Sequence, residues 1–200
     1  MRCLMCGKEK GEGDLYDILN GQDPLCHECR KKWRHKPQKF LVEGIEARSS
    51  YRYNDAYASA LIQFKECGDE ALKDVFLFEV KEKIRRLYKG YTICLMPSSK
   101  EKLQERGFSH LYEMFSSCHM PMLEPFVKDA EISQKGKSGS QREAMQKAIH
   151  LKPGIKLPKK ILLADDVYTT GSTIRGALSC IDLRRHQIRI YVCAKAGKEK

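Results

Sequence analysis

The stretch Lys160-Ile161-Leu162-Leu163-Ala164-Asp165-Asp166-Val167-Tyr168-Thr169-Thr170-Gly171-Ser172-Thr173 decides the fold. Lys160 to Ala164 reads as a short buried strand, and Ile174, Ala177, Leu178 and Ile181 then recur at helical spacing. Between strand and helix lie two carboxylates, several small hydroxyl residues and one glycine. A strand turning directly into a helix is half of a βαβ unit.

The rest of the chain repeats the alternation. Asn54 or Asp55 can cap a helix through Ala56, Ala60, Leu61 and Phe64. A second helix is predicted from about Asp69 to Leu87, with Leu72, Val75, Phe76, Val80, Ile84 and Leu87 as its apolar stripe. Tyr91 to Met96 reads as a strand halted by Pro97, Pro121 to Val127 holds one short further strand, and Ile188 to Cys193 is the closing strand. The expectation is an α/β domain over residues 51–200, with a mostly parallel sheet flanked by helices.

The chemistry of the deciding stretch follows from its residue types. Backbone N–H groups of a loop that opens a helix form an anion cradle, the helix dipole favours negative charge, and Thr and Ser hydroxyls add donors. Carboxylates at the carboxyl end of a strand lie where open α/β sheets bind ligands, and they accept hydrogen bonds from sugar hydroxyls. Phosphate beside diol-binding carboxylates describes a ribose 5-phosphate. Candidate ligand-binding residues are therefore Asp165, Asp166, Thr169, Thr170, Gly171, Ser172 and Thr173.

A different chemistry opens the chain. Cys3-x-x-Cys6 and Cys26-x-x-Cys29, nineteen residues apart, are two chelating pairs spaced for one tetrahedral zinc. The residues between them are turn formers with little apolar content, so residues 1–36 are expected to need the metal to fold. Four sulfurs fill the coordination sphere, which makes the zinc structural. On this reading Cys26→Ser unfolds the module and leaves most of the α/β core. His27, His35, His110, His119 and His150 read as surface residues. Cys67, Cys94, Cys118, Cys180 and Cys193 read as small apolar ones.

The basic run Arg30-Lys31-Lys32-Trp33-Arg34-His35-Lys36 surrounds the only tryptophan. It reads either as a platform on which Trp33 stacks a base of single-stranded nucleic acid, or as an anchor by which Trp33 holds the module to the next domain. Residues 37–50 are taken as a connecting segment.

Composition narrows the class. The 200 residues carry 37 Lys and Arg against 26 Asp and Glu, a net charge of +11. The last quarter alone holds eleven basic and four acidic residues, which favours an acidic partner such as nucleic acid, a phosphate-rich ligand or an anionic membrane face, or marks an ordinary solvated surface. No run of 18 apolar residues appears, and the N-terminus lacks the apolar stretch of a signal peptide, so the expected setting is cytoplasmic with no membrane span.

The run ILLADDVYTTGST resembles the signature of the phosphoribosyltransferase superfamily, whose strand, acidic pair and Thr-Thr-Gly-x-Thr loop bind phosphoribosyl pyrophosphate. The four-cysteine module before such a domain, with Phe64-Lys65, Gly68-Asp69, Pro97 and Arg106-Gly107-Phe108, resembles the ComF family of competence-associated proteins over almost the whole chain. Family members also carry a Gln followed eight residues later by an Arg, the spacing of Gln134 and Arg142. Where the family commonly reads Arg-Gly-Phe-Asn-Gln, this chain has Ser109 and His110. The family's Asn and Phe nearby are Met145 and Ile149 here.

The resemblance implies a type I phosphoribosyltransferase-like fold. It implies that Pro97, Ser98, Ser99 and Lys100 form a pyrophosphate loop with Arg106 close by, that Asp165, Asp166 and Arg106 are the catalytic candidates, and that Mg²⁺ accompanies phosphoribosyl pyrophosphate. Residues 129–148 read as a loop that closes over the site or as a plain solvent loop. The implied setting is natural transformation, with single-stranded DNA and a helicase-like competence protein as partners at the inner face of the membrane. Three functions follow: a DNA-uptake factor that binds phosphoribosyl pyrophosphate, an active phosphoribosyltransferase joining a nitrogen acceptor to ribose 5-phosphate, and a regulator that reads phosphoribosyl pyrophosphate as a signal.

Overall fold

The computed structural model describes residues 1–10, 15–20, 22–129 and 148–197. In chain order its helices are α1 (Leu15–Leu19), α2 (His27–Lys32), α3 (Asp55–Glu66), α4 (Lys81–Leu87), α5 (Lys100–Arg106), α6 (His110–Ser116) and α7 (Ser172–Ser179). Its strands are β1 (His35–Val42), β2 (Ile45–Arg52), β3 (Thr92–Leu95), β4 (Met122–Leu123), β5 (Phe126–Lys128), β6 (Ile149–Leu151), β7 (Lys160–Tyr168) and β8 (Gln187–Lys195).

Ile161, Leu162, Leu163 and Ala164 are fully buried. An unbroken apolar run can only be buried on both faces of a sheet, so β7 is internal. It pairs parallel with β8 and with β3, in a six-stranded sheet of order β1-β2-β8-β7-β3-β4 whose only antiparallel pair among the described residues is β1 with β2. The expected α/β class with a mostly parallel central sheet is what the chain adopts. β5 and β6 form a separate antiparallel ribbon.

The pairing of β7 positions the site. On one side β8 follows it through Asp165, Val167 and Tyr168. On the other, β3 leaves after Leu95 pairs with Ala164, and Met96 N–H makes a last bond to Ala164 O at 3.0 Å. β7 thus runs beyond the predicted end at Ala164, and its edge at Asp165 and Asp166 is open where β3 has turned away.

Three other expectations change. The helix predicted over Asp69–Leu87 is a 3-10 turn (Glu70–Val75), a non-helical turn and then α4. Val75, Phe76 and Leu77 are consecutive and all fully buried, whereas one face of an amphipathic helix buries a stripe at 3.6-residue spacing. The single strand expected over Pro121–Val127 is two, β4 in the main sheet and β5 in the ribbon. Residues 37–50, expected as a connecting segment, lie within the β1–β2 hairpin, which continues the sheet through the β2–β8 pairing.

The N-terminal module shares the main core. Trp33 is 1% exposed and meets the rings of Tyr51, Tyr57 and Phe76 at 5.5, 4.8 and 5.4 Å. Burial removes it as a base-stacking platform and makes it the anchor. Arg30 leaves the basic run as well: its Nε and Nη2 donate to the Asp23 carboxylate at 2.9 and 2.5 Å, and Nη1 donates to Val75 O at 2.9 Å. Cys94, Cys118 and Cys193 are buried as expected, but Cys67 is exposed. Among the described residues no helix is long and apolar enough to cross a membrane.

Candidate functional site

The four Sγ atoms of Cys3, Cys6, Cys26 and Cys29 lie within 4.8 Å of one another, and Cys6 and Cys26 are 3.8 Å apart. A tetrahedral zinc with Zn–S bonds of about 2.3 Å places its sulfurs about 3.8 Å apart. The donor set and its spacing fit Zn(II) and leave no open position for water. Burial and the neighbouring thiols push the Cys29 thiol up. At Cys3 burial acts the same way, but hydrogen bonds from the backbone of Cys26, Cys6 and Met5 outweigh it and lower the thiol to about 7. One cysteine of the cluster is thus poised to ionise near neutral pH.

The second site is the cleft at the open edge of β7. Pro97, Ser98 and Ser99 after β3, Arg106 at the end of α5, Asp165 and Asp166 on β7 and Thr173 on α7 share one open cleft of about 340 Å³, at the lower end of the range of small-molecule sites. Lys65, Lys102, His110 and Lys128 complete its polar wall. Four side-chain cations thus face two carboxylates, an arrangement suited to an anion of more than one charge.

Asp166, 7% exposed, is held from two sides. Lys65 Nζ donates to its Oδ2 at 2.5 Å and His110 Nε2 at 3.2 Å. Burial opposes ionisation, yet His110 and Lys65 hold this carboxyl well below the usual carboxylate range. Asp165 is the opposite case: burial and the adjacent Asp166 charge push it well above. Two neighbouring carboxyls are therefore driven apart, one a fixed anion and one that resists ionising. Burial, followed by Lys102, lowers Lys128 from the usual ammonium range.

His110 contradicts its surface reading. It is 5% exposed, its Nδ1 lies 3.1 Å from Arg106 Nη1, and Arg106 Nη2 donates to Glu66 Oε1 at 3.2 Å. His119 and His150 are exposed, as expected. Sequence reasoning also left out Lys65, Lys102 and Lys128 as site residues. Lys65 carried a signal, because it continues the four-residue row of buried Tyr57 and Leu61 on α3. His110 continues the row of buried Met114 on α6 in the same way.

The remaining expected residues stand outside this cleft. Lys100 lines the adjoining groove with Leu103, Phe126 and Lys152. Thr169 and Thr170 are exposed on the loop before α7. Thr170 Oγ1 lies 3.1 Å from Ser172 Oγ, and Arg175 donates to Thr170 O. Gly171 adopts φ +73°, and a Cβ there would come within 2.5 Å of the Tyr168 ring, so only glycine fits this turn. Gln134 and Arg142, with most of the 129–148 loop, lie outside the described residues.

The chain is 27% identical to "Competence protein ComFC" of Streptococcus pneumoniae (strain ATCC BAA-255 / R6), over 87% of this chain and 90% of that protein. It is 28% identical to "Competence protein ComFC" of Bacillus subtilis (strain 168), over 90% of this chain and 70% of that one. The chain is homologous to ComFC. This agrees with the ComF resemblance read from the sequence, and no family model matches the chain. His110, where the resemblance read from the sequence marks a departure, is the residue that joins Arg106 to Asp166.

Proposed function

We propose that this protein serves in competence as a DNA-uptake factor whose cleft binds phosphoribosyl pyrophosphate with Mg²⁺. The setting is the one its relatives' names state. The observation that carries the ligand is that Asp165 and Asp166 line one cleft with Lys102, Arg106 and Lys128, beside the Pro97–Ser99 turn. On this reading Asp165 and Asp166 hold the ribose hydroxyls, Thr173 and the start of α7 take the 5-phosphate, and Ser98, Ser99 and Arg106 take the pyrophosphate. Asp165 and Asp166 are the carboxyls that would hold Mg²⁺, which would supply charge neutralisation for the pyrophosphate.

The partners are single-stranded DNA and a helicase-like competence protein, at the cytoplasmic face of the membrane. With Trp33 buried, contact with DNA falls to exposed basic residues such as Lys31, Lys32 and Lys36. DNA binding of this kind weakens steeply with salt.

A transferase reading is supported by one feature. The groove lined by Leu95, Leu103, Phe126 and Val127 adjoins the cleft and shares Met96, Pro97, Ser98 and Lys128 with it. It offers an apolar place for a planar nitrogen acceptor beside the leaving group.

Calorimetric titration of phosphoribosyl pyrophosphate with Mg²⁺ tests the ligand. Wild type binds, Asp165→Asn with Asp166→Asn loses binding, and Ser98→Ala with Thr173→Val weakens it about tenfold while leaving the Lys65–Asp166 pair intact. No heat with folded wild type overturns the reading. Pyrophosphate release on adding a nucleobase or amine decides for the transferase.

A further inference from the structure

We propose that Lys65 is the resident counter-ion of the cleft at β7: it closes Asp166 to a free divalent cation, so that a metal is admitted only together with an anionic ligand. The proposal rests on the ligand reading above and adds the order in which the cleft fills.

Asp166 has little left to offer a metal. An ionised carboxylate presents about four lone-pair positions. Three are taken here, because Oδ2 accepts from Lys65 Nζ at 2.5 Å and from His110 Nε2 at 3.2 Å, and Oδ1 accepts from Val167 N–H at 2.6 Å. A cation that uses Oδ2 has to displace a donor, and one that uses the last position on Oδ1 sits beside an ammonium. The Val167 amide is fixed in β7, and His110 is buried and held by Arg106. Lys65 is the donor that is free to leave.

Charge points the same way. The His110 Nδ1 faces Arg106 Nη1 at 3.1 Å, and since a guanidinium only donates, the ring is neutral. Arg106 itself is shared with Glu66 at 3.2 Å. Among the described residues Lys65 is therefore the one positive charge in contact with Asp166. Lys102, Arg106 and Lys128 line the same cleft. A bare divalent cation meets four positive side chains there, whereas a metal carried on a pyrophosphate arrives as part of a negative group.

The fold leaves Lys65 room to exchange partners. Its neighbour Phe64 is fully buried and lies 5.4 Å from the rings of both Phe76 and Phe108, which fixes the end of α3. The Lys65 side chain is 21% exposed, and it lines both the cleft and the small pocket beside Glu66 and Glu105. Its ammonium can swing from Asp166 to a bound anion while the helix stays in place.

The test titrates the zinc-loaded full chain with Mn²⁺ in the absence of phosphoribosyl pyrophosphate and counts the free ion by electron paramagnetic resonance. Mn²⁺ shares the oxygen preference of Mg²⁺ and leaves the thiolates to zinc. Wild type should bind Mn²⁺ no more tightly than Asp165→Asn with Asp166→Asn. Lys65→Gln keeps an N–H for Asp166 and removes the charge, so it should bind Mn²⁺ about tenfold more tightly, and adding Asp165→Asn should abolish that gain. Lys65→Arg keeps the charge and should behave as wild type. A Lys65 that only ties α3 to β7 would leave the Gln and Arg variants alike. With phosphoribosyl pyrophosphate present, Mn²⁺ should enter the wild-type cleft and broaden the Lys65 side-chain resonances. A ligand-free wild type that binds Mn²⁺ at the cleft as tightly as Lys65→Gln, or no gain in Lys65→Gln, overturns the proposal. Failure of phosphoribosyl pyrophosphate to bind wild type overturns the ligand reading instead, and the Mn²⁺ comparison between wild type and variants still decides the role of Lys65.

Discussion

His110 donates from Nε2 to Asp166 Oδ2 at 3.2 Å because its Nδ1 already faces Arg106 Nη1 at 3.1 Å. Guanidinium can only donate, so Nδ1 must be the acceptor and the ring is the neutral Nε2–H tautomer. His110→Ala leaves a buried carboxylate and a buried guanidinium each short of a partner, and should cost about 1–3 kcal/mol in urea unfolding. His110→Gln supplies an N–H for Asp166 and an oxygen for Arg106, and should recover most of that loss. Equal destabilisation by the two variants would mean that the ring serves through packing alone.

The same contacts give a pH dependence. Burial, then the positive Lys65 and Arg106, lower His110 below 6.5, against the pull of Asp166. A depressed histidine contributes stability that is fully present above the unfolded value and lost as pH falls through the folded one, because the unfolded chain takes the proton first. Wild type should lose more stability than His110→Gln between about pH 7.5 and pH 5.5. Parallel curves in urea unfolding would place the titrating group elsewhere.

Asp165 carries the reverse sign. Its carboxyl is raised by burial and by the Asp166 charge, so its contribution is present below the unfolded value of 3.8 and lost as pH rises through the folded one. At neutral pH the ligand-free fold therefore bears the cost of burying this carboxyl beside the Asp166 charge. Asp165→Asn keeps an oxygen for Asp166 N–H, now 2.9 Å from Oδ1. It should stabilise the ligand-free protein by about 1–2 kcal/mol, a rise of a few degrees in Tm, while weakening the Mg²⁺-dependent ligand. A lower Tm would show that the carboxylate is already compensated within the cleft.

Much of this was legible because local rules and the fold agree. The run Ile161–Ala164 announced an internal strand, Asn54 capped α3 by accepting from Tyr57 N–H at 3.0 Å, and the cysteine spacing fixed a chelating set. What failed did so for tertiary reasons. Val75, Phe76 and Val80 satisfy a helical stripe on paper, yet the core takes up Val75, Phe76 and Leu77 consecutively, which one face of a helix cannot offer. Residues 37–50 read as a connecting segment between the cysteine module and the α/β domain, but their backbone completes the sheet edge. His110 and Lys65 escaped because a polar residue that continues an apolar row is read as surface unless its partner, here Asp166 far away in sequence, is already in view.

The zinc module offers the sharpest departure from the sequence-level expectation. Cys3, Leu25 and Cys26 belong to the same buried cluster as the sheet, and Arg30 ties Asp23 to Val75 O. Asp23 also accepts from Tyr16 OH at 2.7 Å and from Leu25 N–H at 2.9 Å, so one buried carboxylate orders the module and docks it. Chelating the metal, or Cys26→Ser, should therefore lower the stability of the whole chain in one cooperative transition, instead of unfolding residues 1–36 alone. Trp33, the only tryptophan, reports the event directly. Its ring lies among Tyr51, Tyr57 and Phe76, so undocking moves it into water and shifts its emission to the red. Asp23→Ala should act at the same joint, costing about 3–5 kcal/mol by stranding a buried guanidinium, with bound zinc retained. Two separated thermal transitions after zinc removal, with Trp33 emission following only the first, would show that the module and the α/β core fold independently.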